Sequence, residues 1–188
     1  NLPGSGIHYD LGAHLLDQAL QLFGHPEYIF ADLRVQREGA QAIDDFEFIL
    51  SYPALKVSLK GQMLAKVPTP RFALFGWNGC FIKQGVDPQE ALLRAGVLPH
   101  ACADWGLESA DSYGTLALLV DGQDIEEKIV SEQGTGQDFY ANLVAALHEG
   151  APVEVKATQA RDVIRLLELA EQSAREQRCL PVAGELVS

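Results

Sequence analysis

Apolar positions recur along this chain with two different periods, and the switches between them predict its elements. Leu11, Leu15, Ala19 and Leu22, widened by Leu16, Leu20 and Phe23, make one stripe, while Asp10, His14, Asp17, Gln18 and Gln21 take the other side. That is an amphipathic helix over about Asp10–Phe23, closed by Gly24 and barred from continuing by Pro26. From Tyr28 to about Met63 the period becomes two. Ile29, Ala31, Leu33 and Val35 alternate with Phe30, Asp32, Arg34 and Gln36. Phe46, Phe48, Leu50 and Tyr52 alternate with Asp45, Glu47, Ile49 and Ser51, and Leu55, Val57 and Leu59 with Lys56, Ser58 and Lys60. These are strands, the last two joined as a hairpin across Pro53-Ala54.

The second half continues in shorter pieces. Arg71–Phe75 and Cys80–Lys83 read as strands joined across Gly76-Trp77-Asn78-Gly79, and Asp87-Pro88 opens a short helix through about Ala95. Leu98 to Ser112 is irregular, a long loop lying over another surface. Tyr113–Val120 and Ile125–Ser131 form a hairpin around Asp121-Gly122-Gln123-Asp124, and helices follow at Asp138–His148 and Thr158–Gln177. The last has Ala160, Val163, Ile164, Leu167, Ala170 and Ala174 on its expected buried stripe. Strands apolar on one face only belong to antiparallel sheets with one side on helices. The expected fold class is therefore α+β, an open, mainly antiparallel sheet with helices packed on one face, and the working assignment is one domain over residues 1–188. The other sheet face, with Ile49 among Asp, Glu, Lys and Arg, is either solvated or a subunit contact.

Composition narrows the function classes. Apolar residues at 47% and charged residues at 21% are ordinary for a soluble globular chain. A formal charge of −12 with scattered Lys and Arg argues against a nucleic-acid partner, which needs a basic patch. Three cysteines, Cys80, Cys102 and Cys179, have no C-x-x-C spacing and suggest neither a disulfide framework nor a zinc knuckle, so a reducing cytoplasm is expected. No apolar run reaches the roughly 20 residues of a membrane span. The chain starts at Asn1 without Met and runs almost at once into its most chemically loaded segment, which predicts a fragment.

That segment is His8-Tyr9-Asp10-Leu11-Gly12-Ala13-His14-Leu15-Leu16-Asp17-Gln18. Asp10 and His14 stand four apart at a helix start, so both side chains share a face and can meet one small ligand. A carboxylate beside an imidazole is general acid/base equipment, since the carboxylate can orient the ring or hold a substrate hydroxyl. Gly12 between them lets another backbone or a ligand come close. Spacing alone leaves two alternatives open: Asp10 as a helix N-cap with His14 a half-exposed surface residue, and a metal held by His8, Asp10 and His14, for which no fourth ligand is evident. Asp17 and Gln18 are expected to tie the helix to neighbouring loops. No Gly-x-Gly-x-x-Gly follows a strand, so no dinucleotide-binding unit is encoded. Gly134-Thr135-Gly136 leads into Asp138, which would repel a phosphate.

The run Gly6-Ile7-His8-Tyr9-Asp10-Leu11-Gly12-Ala13-His14-Leu15-Leu16-Asp17-Gln18-Ala19 through Phe23-Gly24 resembles the D-x-G-x-H-x-x-D signature of the glucose–fructose oxidoreductase/inositol dehydrogenase/MocA (Gfo/Idh/MocA) family. Arg71-Phe72 through Gly76, Gly79, Lys83 and Gly85-Val86-Asp87-Pro88-Gln89-Glu90 are similar to its branch of NADP-type scyllo-inositol dehydrogenases, and so is Ala160-Arg161-Asp162-Val163-Ile164 through Ser173. The resemblance implies the C-terminal domain of a two-domain dehydrogenase whose N-terminal Rossmann domain, absent here, holds NAD or NADP. It implies catalytic roles for Asp10 and His14, a sugar or polyol substrate, and a homodimer formed through the sheet. It also implies that the isolated chain binds no nicotinamide and is inactive, because the family's Glu-Lys-Pro lysine belongs to the missing half. The competing class is a ligand-sensing or oligomerisation module of the same fold.

Overall fold

The two sequence periods become two kinds of element. The computed structural model describes residues 4–187 and runs α1 (Ile7–Phe23), β1 (Tyr28–Arg34), β2 (Asp45–Ser51), β3 (Lys56–Gln62), β4 (Phe72–Gly76), β5 (Gly79–Lys83), α2 (Gln89–Arg94), β6 (Gly114–Val120), β7 (Gln123–Ile129), α3 (Gln137–Glu149), α4 (Ala157–Glu176) and β8 (Leu180–Pro181). The architecture is α+β with every strand pair antiparallel. The strands divide between two four-stranded sheets, ordered β3-β2-β1-β8 and β4-β5-β6-β7. Each sheet lies in its own compact unit, the first comprising the residues up to Ala65 and from Val155, the second Lys66–Glu154. Among the described residues no helix is long and apolar enough to cross a membrane.

In the first unit, alternation decides what is inside. Ile29 and Ala31 of β1 and Phe46, Phe48 and Leu50 of β2 are buried, and they pack with Leu16 and Ala19 of α1 and Val163, Leu166, Leu167 and Ala170 of α4. Each fully buried side chain of this size stabilises the fold by about 1.5–3 kcal/mol. The buried stripe of α4 differs from the expected one, because Ile164 is 47% exposed while Asp162 and Ser173 are buried. Both polar residues are tolerated inside because they are partnered. The Asp162 carboxylate accepts the Val187 N–H at 3.0 and 3.1 Å. The Ser173 hydroxyl accepts the Ala31 N–H at 3.0 Å and donates to the Arg178 carbonyl at 2.6 Å. Ser173 thereby serves β1 beyond the reach of β8, which pairs only at Tyr28↔Pro181 and Ile29↔Leu180.

Two glycines set how closely the layers approach. A Cβ on Gly12 would stand 2.9 Å from Cε2 of Phe48, and one on Gly61 would stand 2.5 Å from Cε1 of Phe46. The two phenyl rings, 4.7 Å apart, therefore fill the space these residues leave open. What comes close to Gly12 is an aromatic ring of β2, neither a backbone nor a ligand.

Helix α1 begins three residues earlier than its periodicity suggests. Gly6, at φ 106°, precedes it without a side-chain cap, and the Ile7 N–H donates to the Ile43 carbonyl at 3.0 Å. Ile43 is held there by its neighbour Asp44, which is buried. The Asp44 carboxylate accepts the N–H of Gln36 at 2.7 Å, the N–H of Arg37 at 3.0 Å and Arg37 Nε at 2.9 Å. The bond from Gln36 above all, then those from Arg37 with its charge, hold this carboxyl below its usual range, outweighing the upward push of burial.

The second unit is two hairpins with a pinned loop. Asp121 and Gly122, at φ 51° and 77°, close β6–β7 as a two-residue turn, the geometry that an Asp-Gly pair favours. The irregular stretch before β6 is fastened by Glu108, which accepts Lys83 Nζ at 2.5 Å and Ser131 Oγ at 2.7 Å. Burial raises the Glu108 carboxyl, but these two bonds and the Lys83 charge bring it below its ordinary value. Nearby Trp105 is buried and donates from Nε1 to Gln89 Oε1 at 3.3 Å.

Two outcomes follow from the first unit. Asp44 has a lowered folded-state pKa, so its stabilisation is complete above the ordinary Asp value of about 4 and is lost as pH falls through the lower folded value. Denaturant midpoints should drop as pH is taken from about 5 downward, and Asp44→Asn should be less stable at neutral pH with a flatter acid limb. An unchanged limb would remove Asp44 from the acid response. Gly12→Ala should destabilise by roughly 1–3 kcal/mol through overpacking against Phe48, despite the helix-propensity gain of about 1 kcal/mol that Ala brings. A urea titration showing stabilisation would mean that the ring gives way freely.

Candidate active site

The inner side of α1 carries His8, Gly12, Leu16 and Ala19, all buried, and the outer side carries Asp10, Leu11, His14, Gln21 and Leu22, all exposed; Ile7, the first residue of the helix, is buried as well. Side chains one turn apart on a helix sit roughly 5–6 Å from each other at Cβ. The structure thus leaves Asp10 and His14 on one solvent-facing surface of one rigid helix, neither sealed inside nor split between faces. Because α1 starts at Ile7 after Gly6, Asp10 lies within the first turn and is not the N-cap. The side chain is therefore not consumed in capping. Leu11, 49% exposed, stands beside the pair as apolar surface.

His8 does not join them. Its ring is buried at 1% exposure, with Nε2 3.3 Å from Oε1 of Glu171 on α4, and it meets Tyr9 edge to face with centroids 4.8 Å apart. The combination His8, Asp10 and His14 considered for a metal is thus not assembled, and among the described residues no group of three or more His, Cys, Asp or Glu side chains is arranged around a common point. Tyr9 lies on the same side as α4. Burial, then the charges of Glu171 and Glu168, raise its hydroxyl above the ordinary value, so it stays protonated and is suited to donating a hydrogen bond. The seam continues through Arg165, which pairs with Glu168 at 2.9 Å and Glu185 at 2.8 Å.

The partnership of His8 with Glu171 had no local sequence signal, since the two are separated by 163 positions. Only the burial of residue 8 on the inner stripe, in step with Gly12, Leu16 and Ala19, hinted that His8 and His14 differ in role. Cys80, Cys102 and Cys179 are free thiols outside this surface.

Comparison with known proteins adds the following. Residues 1–183 match the model described as the oxidoreductase family, C-terminal alpha/beta domain, of Gfo/Idh/MocA proteins. The chain is 41% identical over 96% of its length to the uncharacterized oxidoreductase YdgJ of Escherichia coli, of which it covers 51%. It is 36% identical over 94% of its length to the scyllo-inositol 2-dehydrogenase (NADP(+)) IolW of Bacillus subtilis, of which it covers 49%. It therefore spans about half the length of these curated relatives. Among solved structures, an oxidoreductase from Bacillus cereus superposes with a TM-score of 0.85 at 32% identity, over 96% of this chain and 53% of that one. An oxidoreductase from Agrobacterium radiobacter in complex with NAD+, L-tartaric acid and magnesium superposes with a TM-score of 0.62 over 97% of this chain and 51% of that one. At 14% identity it speaks for the fold alone. The chain belongs to the Gfo/Idh/MocA oxidoreductase family and corresponds to its C-terminal α/β domain.

Proposed function

We propose that residues 1–188 form the substrate-binding and oligomerisation domain of an NAD(P)-dependent oxidoreductase that moves a hydride between a sugar or polyol hydroxyl and a nicotinamide, and that they are inactive alone. The observation that carries this is the pair Asp10 and His14, one turn apart on the exposed face of a helix whose other face is buried. Similarity to a relative named as a scyllo-inositol 2-dehydrogenase supports a polyhydroxylated substrate.

NAD or NADP belongs to a Rossmann half outside these residues. Neither β5 to α2 nor β7 to α3 carries a Gly-x-Gly-x-x-Gly turn, and α3 opens with Asp138 in its first turn, where a phosphate would be repelled. A nicotinamide bound by that half would supply the acceptor for the hydride of the substrate's carbinol carbon. His14 accepts the proton of the hydroxyl at that carbon, so that an alcohol becomes a ketone, and Asp10 accepts hydrogen bonds from substrate hydroxyls and orients the imidazole. A lysine from the nucleotide half completes the site, and the free thiols fit a cytoplasmic protein.

The oligomerisation role rests on the second sheet. Its register puts Ala73, Phe75, Cys80, Ile82, Ala117 and Leu119 on one face, bordered on β7 by Asp124, Glu126 and Lys128, and Phe75 and Leu119 are 78% and 54% exposed. An apolar patch with a charged rim fits an interaction surface, and we assign it to a second copy of the chain, making a homodimer through the sheet.

In the full-length protein, assayed with NAD+ and NADP+ against inositols and sugars, His14→Ala is expected to lower kcat by roughly 100-fold or more with a much smaller change in substrate binding. Unaltered turnover would remove His14 from the chemistry, and cofactor binding without any oxidation would favour the sensor class. Light scattering is expected to return twice the chain mass, falling to one chain in Phe75→Asp; a monomer at high concentration would contradict the sheet dimer.

A further inference from the structure

His8 is the one buried ionisable side chain of α1, and the reaction just described leaves it unused. Its ring lies across the helix from Asp10, two residues and about 200° of helical turn away. Nε2 faces Glu171 Oε1 at 3.3 Å, and since a carboxylate only accepts, Nε2 carries the hydrogen. Nδ1 is buried with no hydrogen-bond partner among the described residues. It lies against Gly6, where a Cβ would come within 2.9 Å of it and within 3.1 Å of Ile43 Cβ. A buried imidazole with one nitrogen unsatisfied costs stability relative to an apolar side chain at the same place. Packing alone would be served better by leucine.

What the ring supplies instead is direction. The start of α1 has no side-chain cap, and the burial of Gly12, Leu16 and Ala19 selects which face is outside without fixing the fine rotation of the first turn. A directional bond from the first turn to α4 fixes that rotation, and Asp10 and His14 turn with it. We propose that His8, through its Nε2 hydrogen bond to Glu171, is a positioning residue that sets the roll of α1 and thereby the orientation of Asp10 and His14. Its effect on turnover rests on the role given to those two residues under Proposed function; its effect on the His14 ring does not.

The test uses two substitutions that separate the bond from the bulk. His8→Gln keeps an amide donor near the Nε2 position, whereas His8→Asn places its amide near Nδ1, out of reach of Glu171. Glu171, with a side chain 36% exposed, provides a route that does not disturb the core, as Glu171→Ala. In the 188-residue chain the NMR signals of the His14 ring are expected to shift in His8→Asn and Glu171→Ala and to return towards the parent position in His8→Gln. In the full-length enzyme the first two variants are expected to lose kcat roughly tenfold, as misorientation does, with KM for the nicotinamide unchanged. His8→Gln should recover most of it, and the double variant His8→Asn/Glu171→Ala should be no worse than either alone. If His8→Asn does not fold, Glu171→Ala carries the same readouts. Unmoved His14 signals in Glu171→Ala, or equal loss in His8→Gln and His8→Asn, would overturn the proposal. If His14→Ala is fully active while the His14 signals still move, the positioning stands and the catalytic assignment falls.

Discussion

Where α1 lies on β2, the ring of Phe48 occupies the space that any side chain at residue 12 would need. This contact lets the helix sit close enough to bury Leu16 and Ala19 on Phe46, Phe48 and Leu50, and the exposed face, with Asp10 and His14, is whatever that burial leaves outside. A helix binds its own polar residues to its packing in this way: with 3.6 residues per turn, burying positions 8, 12, 16 and 19 presents 10 and 14 to solvent. The glycine costs helix propensity and the approach it permits offsets that cost. The start of the same helix is held indirectly. Asp44 holds the loop between β1 and β2, that loop presents the Ile43 carbonyl, and the carbonyl receives the first N–H of α1. A carboxylate far from the surface pair therefore bears on where the pair stands.

Much of this was legible from residue order alone. The helix over 10–23, the strands of the first sheet and both hairpins of the second follow from period and turn residues, because amphipathic elements advertise their buried side locally. Asp10 and His14 stood out for the same reason, as ionisable groups at helical spacing on a polar face. The parts that stayed hidden depend on partners distant in sequence. Asp162 and Ser173 look like surface residues until Val187, Ala31 and Arg178 are placed beside them. Ile164 looks buried until the inner face proves to run through Asp162, Leu166, Ala170 and Ser173, which leaves it on the opposite side of the helix. Strand β8 is two residues long, too short for any period to show. His8 looks like a companion of His14, and only Glu171 on α4 shows that it faces the other way.

The two units are built differently. The first is built around a dense aromatic and aliphatic core and holds Asp10 and His14 on the exposed side of one helix. In the second, Trp105, 4% exposed, is the one buried hydrophobic side chain among the described residues. The chain is a member of the Gfo/Idh/MocA family and matches about half the length of its curated relatives.

The most direct measurement is a crystal structure of the full-length protein with a nicotinamide and a polyol bound. The expected result is a substrate carbinol hydroxyl within hydrogen-bonding distance of the His14 imidazole, with the Asp10 carboxylate on a hydroxyl of the same molecule or on the ring. A polyol held elsewhere, with both side chains still facing bulk water, would contradict the assignment.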